Sequence, residues 1–218
     1  MGTVKKNGER KKVGIMGGTF DPIHTGHLIL AEAAYETFDL DHVLVMPNGN
    51  PPHKPGQVHA SMDDRIRMVQ LAIADNPHLV FSDFENTLKG FHYTYQTLEY
   101  LKEENPDTDY YFILGADSLM SFETWREPER IRRNCIILVA TRDGLSDARL
   151  EQQIQHLTGK YHGEIYPLGT PNIDISSHMI RERRSQGRSI KYYVPSAVET
   201  FILEHGFYAA STESKDNL

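Results

Sequence analysis

Short apolar runs alternate along this chain with longer segments whose apolar residues recur at helical spacing. The runs predict strands at residues 13–16, 42–46, 79–83, 110–114, 135–140 and 163–168. The segments between them predict helices at 28–38, 63–74, 95–103, in a region after residue 116, and at 146–157. Strands that alternate with helices are typical of an α/β fold, in which a doubly wound parallel sheet is covered by helices on both faces.

The pattern changes after residue 168, where helical segments at 176–185 and 196–204 predict a small helical C-terminal part. The two ends of the chain, residues 1–12 and 210–218, are predicted to be flexible, solvated tails. We therefore expect a single domain over residues 13–209, because a chain of 218 residues is long enough for one sizeable core.

The stretch richest in candidate chemistry is GGTFDPIHTGH at residues 17–27, between the first predicted strand and the first predicted helix. Its glycines let the backbone approach a ligand, and the helix start offers unpaired N–H groups to an anion. His24 and His27 can each donate a hydrogen bond to an oxyanion, and a nearby phosphate would favour the protonated imidazole. A capping histidine and a core histidine are the plainer alternative. The spacing matches neither a dinucleotide fingerprint nor a P-loop, so the turn predicts a phosphate site of another kind.

Composition narrows the partners and the compartment. The net charge of −7 argues against a broad nucleic-acid interface, so anionic ligands must be held by a few placed cations. The single cysteine, Cys135, cannot form an internal disulfide, and no apolar run approaches the length that spans a membrane. These features predict a cytoplasmic protein that binds small molecules rather than nucleic acid or a membrane.

The turn at residues 17–27 resembles the H-x-G-H signature of the nucleotidyltransferase superfamily. Further motifs follow in the family's order: PNGNPPHK at 47–54, Tyr93-Thr94, FILGADS at 112–118 and ISSHMIR at 175–181. Together they resemble the bacterial nicotinate-mononucleotide adenylyltransferases over residues 13–208. The resemblance implies a Rossmann-like fold and transfer of the adenylyl group of ATP to nicotinate mononucleotide in NAD biosynthesis. It also implies that Mg²⁺ arrives with ATP, and no set of protein ligands for a metal is visible.

The resemblance also assigns site residues. It implies catalytic roles for His24, His27 and Arg181. It implies contacts with ATP for Gly17, Gly18, Thr19, Phe20, Gly115, Asp117, Ser176 and Ser177. It implies contacts with the pyridine mononucleotide for Asn48, Lys54, Thr94 and Trp125.

Most of these residues have a plainer alternative. The loop at 51–54 is also typical of a rigid connector, and Thr94 of a helix cap. Trp125 is either a core aromatic or the ring that stacks on the pyridine. Asp117 could be no more than a carboxylate at a helix N-terminus. Arg183 and Arg184 are interpreted as a solvated helix face. The chain departs from the family at His178, where members usually have threonine.

The sequence also has to be weighed against other functions. The acceptor could be nicotinamide mononucleotide, since an amide and a carboxylate differ by few contacts. A catalytically silent nucleotide-binding module would bind ATP without releasing pyrophosphate. Other nucleotidyltransferases share the first motif but are generally shorter and lack the loop at 51–54, and a tRNA-charging enzyme would need a basic RNA-binding extension. The sequence leaves open whether the chain forms a homo-oligomer.

Overall fold

Six parallel strands form one sheet in the order β3-β2-β1-β4-β5-β6. The structure is a computed structural model that describes residues 10–48, 58–87, 93–142, 148–171 and 173–210. The strands are β1 Lys11–Gly18, β2 His42–Pro47, β3 Leu79–Phe81, β4 Thr108–Leu114, β5 Ile136–Arg142 and β6 Ile165–Thr170. The helices are α1 Thr25–Phe38, α2 Met62–Ile73, α3 Phe84–Thr87, α4 Thr94–Glu104, α5 Ala116–Met120, α6 Pro128–Asn134, α7 Ala148–Tyr161, α8 Ser177–Ser185 and α9 Ser196–Glu204. A 3₁₀ turn, Phe122–Thr124, follows α5.

Alternate residues of each strand point to opposite faces, and both faces are apolar and buried. On one face Val43 of β2 and Ile113 of β4 pack with α1, α2, α8 and α9. On the other face Ile15 of β1 and Val139 of β5 pack with α4, α5, α6 and α7. The uninterrupted apolar runs in the sequence are therefore strands that are buried on both sides, as parallel sheets require. The predicted α/β fold with a doubly wound parallel sheet is confirmed.

The predicted strands and the longer predicted helices all occur, with small shifts at their ends. Lys11 and Lys12, assigned by the sequence to the N-terminal tail, belong to β1, where they pair with Thr108 and Asp109 of β4. The backbone N–H of Lys12 also donates to the Asp41 carboxylate over 2.8 Å. The short helices α3 and α6 were not predicted, because a four-residue and a seven-residue helix show too few turns for a period.

The order of the strands reverses between β1 and β4. The chain winds from β1 outward to β3 and then crosses back to β4 on the other side of β1. In open sheets of this kind, ligands bind beyond the carboxyl ends of the strands at the reversal point. Gly18 and Leu114 end the two strands there, so the predicted phosphate turn and the motif after β4 meet at this edge.

Candidate active site

The ring of Phe20 shapes the turn between β1 and α1. Phe20 has a left-handed backbone with φ of 48°, and its ring is buried. An ideal Cβ at Gly18 would lie 2.9 Å from that ring, so any other residue at position 18 would force the ring to shift. The same ring meets His27 edge-on, with 5.0 Å between the ring centroids. The backbone of Phe20 is therefore the part of this residue that could contact ATP, and its predicted ATP contact stays a prediction.

His24 and His27 stack on each other at the start of α1. Their ring centroids are 3.6 Å apart, and the rings are inclined by 22°. The backbone N–H of His24 donates to Nδ1 of His27 over 3.2 Å. Because Nδ1 of His27 accepts this hydrogen bond, the proton of the neutral ring lies on Nε2, which can donate to a ligand. His24 is also the N-cap residue of α1, so capping and a ligand contact are compatible.

Both imidazoles are neutral at pH 7 when no anion is bound. Burial lowers the pKa of His24 from 6.5 to about 4. Burial, together with the neighbouring His24, lowers the pKa of His27 well below its ordinary value. A phosphate that approached them would raise both pKa values, because an opposite charge favours the protonated ring. The expected charged imidazole therefore belongs to a complex with an anion and not to the free protein.

Asp21 is a buried carboxylate, only 3% exposed, that sequence reasoning left without a role. Its Oδ1 accepts from the Tyr208 hydroxyl over 2.7 Å and from the Ala60 N–H over 3.2 Å. Its Oδ2 accepts from the His59 N–H over 2.8 Å. Asp21 therefore ties the turn to the segment that leads into α2 and to the C-terminal end of the described chain.

Arg65 of α2 links the residues that follow β1 and β2 through hydrogen bonds to their backbone. Its side chain is almost fully buried and donates to the carbonyl oxygens of Thr19, over 2.6 Å, and Asn48, over 2.9 Å. The N–H of Asn48 donates in turn to the Gly18 carbonyl over 2.8 Å. Burial lowers the pKa of Arg65, while the nearby Asp21 carboxylate acts in the opposite direction. Nothing in the sequence distinguishes this arginine from an exposed helix residue, so it was missed.

Helix α8 brings the predicted catalytic arginine to the turn. Ser176 is the N-cap residue, and its hydroxyl accepts a backbone N–H of its own helix. The Ser177 hydroxyl donates to the Pro22 carbonyl over 2.8 Å, and the Arg181 guanidinium donates to the Asp21 carbonyl over 2.7 Å. Two side chains of α8 therefore hold the loop that precedes His24. The predicted contacts of Ser176 and Ser177 with ATP remain predictions.

Trp125 reaches the same edge of the sheet through Phe112 of β4. The two rings meet edge-on, with centroids 6.2 Å apart, and Phe122 packs on Trp125 at 5.6 Å. An ideal Cβ at Gly17 would lie 3.8 Å from the Phe112 ring and 3.4 Å from the Asn48 side-chain oxygen. Trp125 thus packs against the core and is half-buried, so part of its surface stays accessible.

Thr94 is not a helix cap, and that alternative is wrong. It is the first residue of α4, and the N-cap is Tyr93. The Tyr93 N–H donates to the Gln96 side-chain oxygen over 3.1 Å. The first N–H groups of a helix have no partner within the helix and are the ones that a ligand can use. The predicted contact of Thr94 with a carboxylate therefore remains a prediction with a suitable geometry.

The remaining predicted site residues fall at or near the carboxyl edge, with one exception. Gly115 is the N-cap of α5, and an ideal Cβ there would meet nothing within 4 Å, which leaves room for a ligand. Asp117 is exposed in the first turn of α5, and His178 is exposed in the first turn of α8. Lys54, with the loop at 51–54, lies outside the described residues.

The described ranges contain neither a cluster of metal ligands nor a helix that could span a membrane. No three histidine, cysteine, aspartate or glutamate residues there are grouped so that they could hold a metal ion. No helix in the same ranges is long and apolar enough to cross a membrane.

The fold and the site define an α/β protein whose glycine-rich turn, at the reversal point of the sheet, is suited to a phosphorylated ligand. Residues 15–183 match the cytidylyltransferase-like family. A protein of Lachnoclostridium phytofermentans, named "probable nicotinate-nucleotide adenylyltransferase", is 45% identical over 91% of this chain and 99% of its own length. A Synechococcus sp. (strain JA-3-3Ab) protein of the same name is 42% identical over 92% of this chain and 96% of its own. The chain belongs to the cytidylyltransferase-like family and, within it, to the nicotinate-nucleotide adenylyltransferases, which confirms the resemblance seen in the sequence.

Solved structures show the same fold. Plasmodium falciparum nicotinic acid mononucleotide adenylyltransferase complexed with NaAD superposes with a TM-score of 0.75 at 20% identity. The match covers 91% of this chain and 97% of that one. The Rossmann-like architecture is therefore shared with a nucleotidyltransferase, as the motifs predicted.

Proposed function

We propose that this chain transfers the adenylyl group of ATP to nicotinate mononucleotide, giving nicotinate adenine dinucleotide and pyrophosphate in NAD biosynthesis. The observation that carries the proposal is the convergence of His24, His27 and Arg181 on one glycine-rich turn. The relatives that share this chain almost end to end are named for that reaction.

The chemistry needs charge neutralisation more than proton transfer. The 5′-phosphate of the acceptor is already an anion at neutral pH, so it can attack the α-phosphorus of ATP without a general base. The bond to the α-phosphorus forms as the bond to the pyrophosphate oxygen breaks, and pyrophosphate leaves. An enzyme accelerates such a step by holding two anions in line and stabilising the charge that develops.

The residues on the turn are suited to that task. The Nε2–H of His27 is left to donate to a phosphate oxygen, because Nδ1 is occupied by the His24 N–H. Within the described part of the chain, Arg181 makes one hydrogen bond, to the Asp21 carbonyl. Because a guanidinium has five N–H donors, four of them stay available. Its other N–H groups would bind the phosphates of ATP. Gly115 and Asp117 would border the ribose, where a carboxylate can accept from the hydroxyls.

The acceptor would occupy the other part of the edge. Trp125 would stack on the electron-poor pyridine ring, and the start of α4 at Thr94 would bind the nicotinate carboxylate. Asn48 lies beside Gly17 and would stand between the two substrates. Lys54 would approach the acceptor phosphate. These placements extend the family's assignments to this chain.

Mg²⁺ would enter as part of the substrate, MgATP. The phosphate oxygens and water supply the ligands that this cation prefers, so no protein cage is required. Its charge would add to that of Arg181 in balancing the triphosphate. We place the reaction in the cytoplasm and leave the number of subunits to measurement.

The first test is pyrophosphate release by the purified protein with MgATP and either nicotinate or nicotinamide mononucleotide. We expect much faster release with the nicotinate form and formation of a dinucleotide. Equal rates would keep the reaction and discard the carboxylate site at α4. No release with either acceptor, despite measurable ATP binding, would favour the silent nucleotide-binding module.

The variant that tests the turn is His27→Ala. It should lower kcat about 10²- to 10³-fold, the usual cost of removing one donor to a developing negative charge. His156→Ala is the control, because His156 is exposed on α7 and contacts Glu123. An unchanged kcat in His27→Ala would remove this imidazole from the mechanism.

A further inference from the structure

The C-terminal end of the described chain returns to the catalytic turn. Helix α9 ends at Glu204, and Gly206 follows in a left-handed conformation, with φ of 67°. The Phe207 N–H then donates to the Ile202 carbonyl over 3.0 Å, which folds the segment back along the helix. Tyr208 also has a left-handed backbone, with φ of 57°. This conformation is costly for tyrosine and persists only where the surrounding contacts compensate for it.

The Tyr208 side chain ends on the buried Asp21 carboxylate. The hydroxyl donates to Oδ1 over 2.7 Å, and Tyr208 is half-buried. Burial and the Asp21 carboxylate both raise the pKa of Tyr208 far above its ordinary value. The phenol therefore keeps its proton across the working pH range and acts only as a hydrogen-bond donor. A hydrogen bond from a hydroxyl to a carboxylate is among the stronger kinds in proteins.

The backbone of Asp21 also accepts a hydrogen bond from the Arg181 side chain. The carbonyl of Asp21 accepts from the Arg181 guanidinium over 2.7 Å, while its carboxylate accepts from Tyr208. The next carbonyl, that of Pro22, accepts from Ser177 of the same helix. The hydrogen bonds to the Asp21 side chain restrain the backbone of Asp21, and a change in that backbone would move the carbonyl that orients the arginine.

The other donors to the carboxylate come from a different direction. They are the backbone N–H groups of His59 and Ala60, which precede α2. Arg65, which donates to the neighbouring carbonyls of Thr19 and Asn48, also lies near enough to Asp21 for the two charges to interact. The Tyr208 hydroxyl links the carboxylate to the C-terminal part of the chain, to which α8 also belongs.

We propose that Tyr208 is a positioning residue for adenylyl transfer: its hydroxyl orients Asp21, and Asp21 orients the Arg181 guanidinium toward the phosphates of ATP. The inference rests on the proposed function for the role of Arg181. It adds a residue that touches no substrate and that lies 187 positions from its partner in the chain.

The test compares Tyr208→Phe with Tyr110→Phe. Each substitution removes one tyrosine hydroxyl that donates a hydrogen bond, and Tyr110 donates to the Leu101 carbonyl over 3.1 Å. Tyr110 lies on β4 beside Val13, away from the carboxyl edge. Thermal unfolding first establishes that both variants are folded at the assay temperature. Affinity for MgATP is then measured by calorimetry without an acceptor, and kcat and KM are measured with both substrates.

Tyr208→Phe should weaken MgATP binding and raise the KM for ATP about tenfold, a typical effect of losing a hydrogen bond to a charged group. The KM for nicotinate mononucleotide should change less than twofold. Tyr110→Phe should leave the affinity for MgATP unchanged, even if it unfolds at a lower temperature. Equal MgATP affinities in the two variants, or equal losses for both substrates, would overturn the proposal.

The double variant Tyr208→Phe with Arg181→Lys supplies a second measurement. If Tyr208 acts through the arginine, the two substitutions together should weaken MgATP binding by clearly less than the product of their separate effects. Independent effects that multiply would contradict the proposal. Because affinity is measured without an acceptor, a wild-type protein that binds MgATP but releases no pyrophosphate would refute the proposed function and leave this comparison intact.

Discussion

His24 is a base that the fold holds in its neutral form. Burial lowers the pKa of His24 to about 4, whereas an unfolded chain would give the ordinary value of 6.5. Between these two values the unfolded state binds a proton that the folded state does not. The contribution of His24 to stability is therefore lost as the pH falls from 6.5 toward 4. A nearby bound phosphate would reduce the loss, because it favours the protonated ring.

We predict that the free energy of unfolding falls by about 2 kcal/mol between pH 6.5 and pH 5 through His24, at about 1.4 kcal/mol per pH unit. Urea unfolding at both pH values, with wild type and His24→Gln, measures the effect of His24 together with its effect on the pKa of His27, since groups such as Glu85 are common to both proteins. His24→Gln should show the smaller pH dependence. The same slope in both proteins would mean that His24 titrates normally.

Gly18 and Gly159 allow a prediction of opposite sign for the same substitution. Gly18→Ala would place a Cβ 2.9 Å from the Phe20 ring, so unfolding free energy should fall by about 1–3 kcal/mol. Gly159 lies in α7 with nothing within 4 Å of an ideal Cβ, so Gly159→Ala should stabilise the protein by about 0.5–1 kcal/mol. Urea unfolding measures both. A stable Gly18→Ala variant with full activity would show that the Phe20 ring can move away.

Residues inside the motifs could be singled out from the sequence because they are local. His24 and Gly18 stand in one turn, and their chemistry follows from residue type and from the strand and helix around them. Tyr208 and Arg65 could not be found in this way. Their roles depend on contacts with Asp21 and Thr19, which only the folded chain brings near.

At the scale of elements, periodicity predicted most of the fold because long strands and helices repeat their pattern. The strands of the sheet are buried on both faces and so appear as continuous apolar runs. The helix starts were harder to predict. In α1 and α4 a side chain three residues beyond the cap, on His27 or Gln96, accepts the N–H of the cap residue. Thr94 therefore offered the usual signal for a cap but lies one residue inside the helix.

This arrangement at α4 makes Gln96 a test of the acceptor site. Gln96→Ala removes the acceptor of the Tyr93 N–H and should loosen the first turn of α4, raising the KM for nicotinate mononucleotide several-fold. The KM for ATP should stay unchanged. Gln96→Glu restores an acceptor oxygen but adds a negative charge near the expected nicotinate carboxylate.

Gln96→Glu should therefore recover the stability of the wild type and still raise the KM for nicotinate mononucleotide. Steady-state kinetics and thermal unfolding of the two variants separate the cap from the charge. Gln153→Ala, on α7, serves as the control, since its side chain donates to the Leu119 carbonyl. A normal KM in Gln96→Glu would place the carboxylate elsewhere.

At the scale of the whole molecule, the reversal point brings two sets of predicted site residues to one edge of the sheet. The N-terminal half and α8 supply the histidines and the arginine around the β1–α1 turn. The elements after β4 supply Gly115 and the half-exposed Trp125. The doubly wound parallel sheet was predictable from alternating strands and helices, whereas the order of the strands and the contact of the C-terminal segment with the first turn required the structure. Two substrates can thus meet at residues that belong to different parts of the chain.

Because the two sets of residues are separate, we predict that each substrate stabilises the folded protein through the set that binds it. A ligand that binds only the folded protein at 100 times its Kd adds about 2.7 kcal/mol to the free energy of unfolding. A non-reactive ATP analogue with Mg²⁺ and nicotinate mononucleotide, added separately, should each raise the melting temperature of the wild type. Trp125→Ala should lose most of the shift caused by nicotinate mononucleotide and keep the shift caused by the analogue, and Arg181→Ala should do the reverse.

The matched controls are Tyr166→Ala, which removes an exposed aromatic ring from β6, and Arg183→Ala, which removes a neighbouring guanidinium from α8. Both variants should keep the rise in melting temperature with the ATP analogue and with nicotinate mononucleotide, because neither Tyr166 nor Arg183 is among the predicted binding residues. Equal loss of both shifts in Trp125→Ala would mean that Trp125 acts as a core aromatic whose removal disturbs the whole edge. Loss of one shift alone requires that the ring contacts that substrate, because the fold then still binds the other.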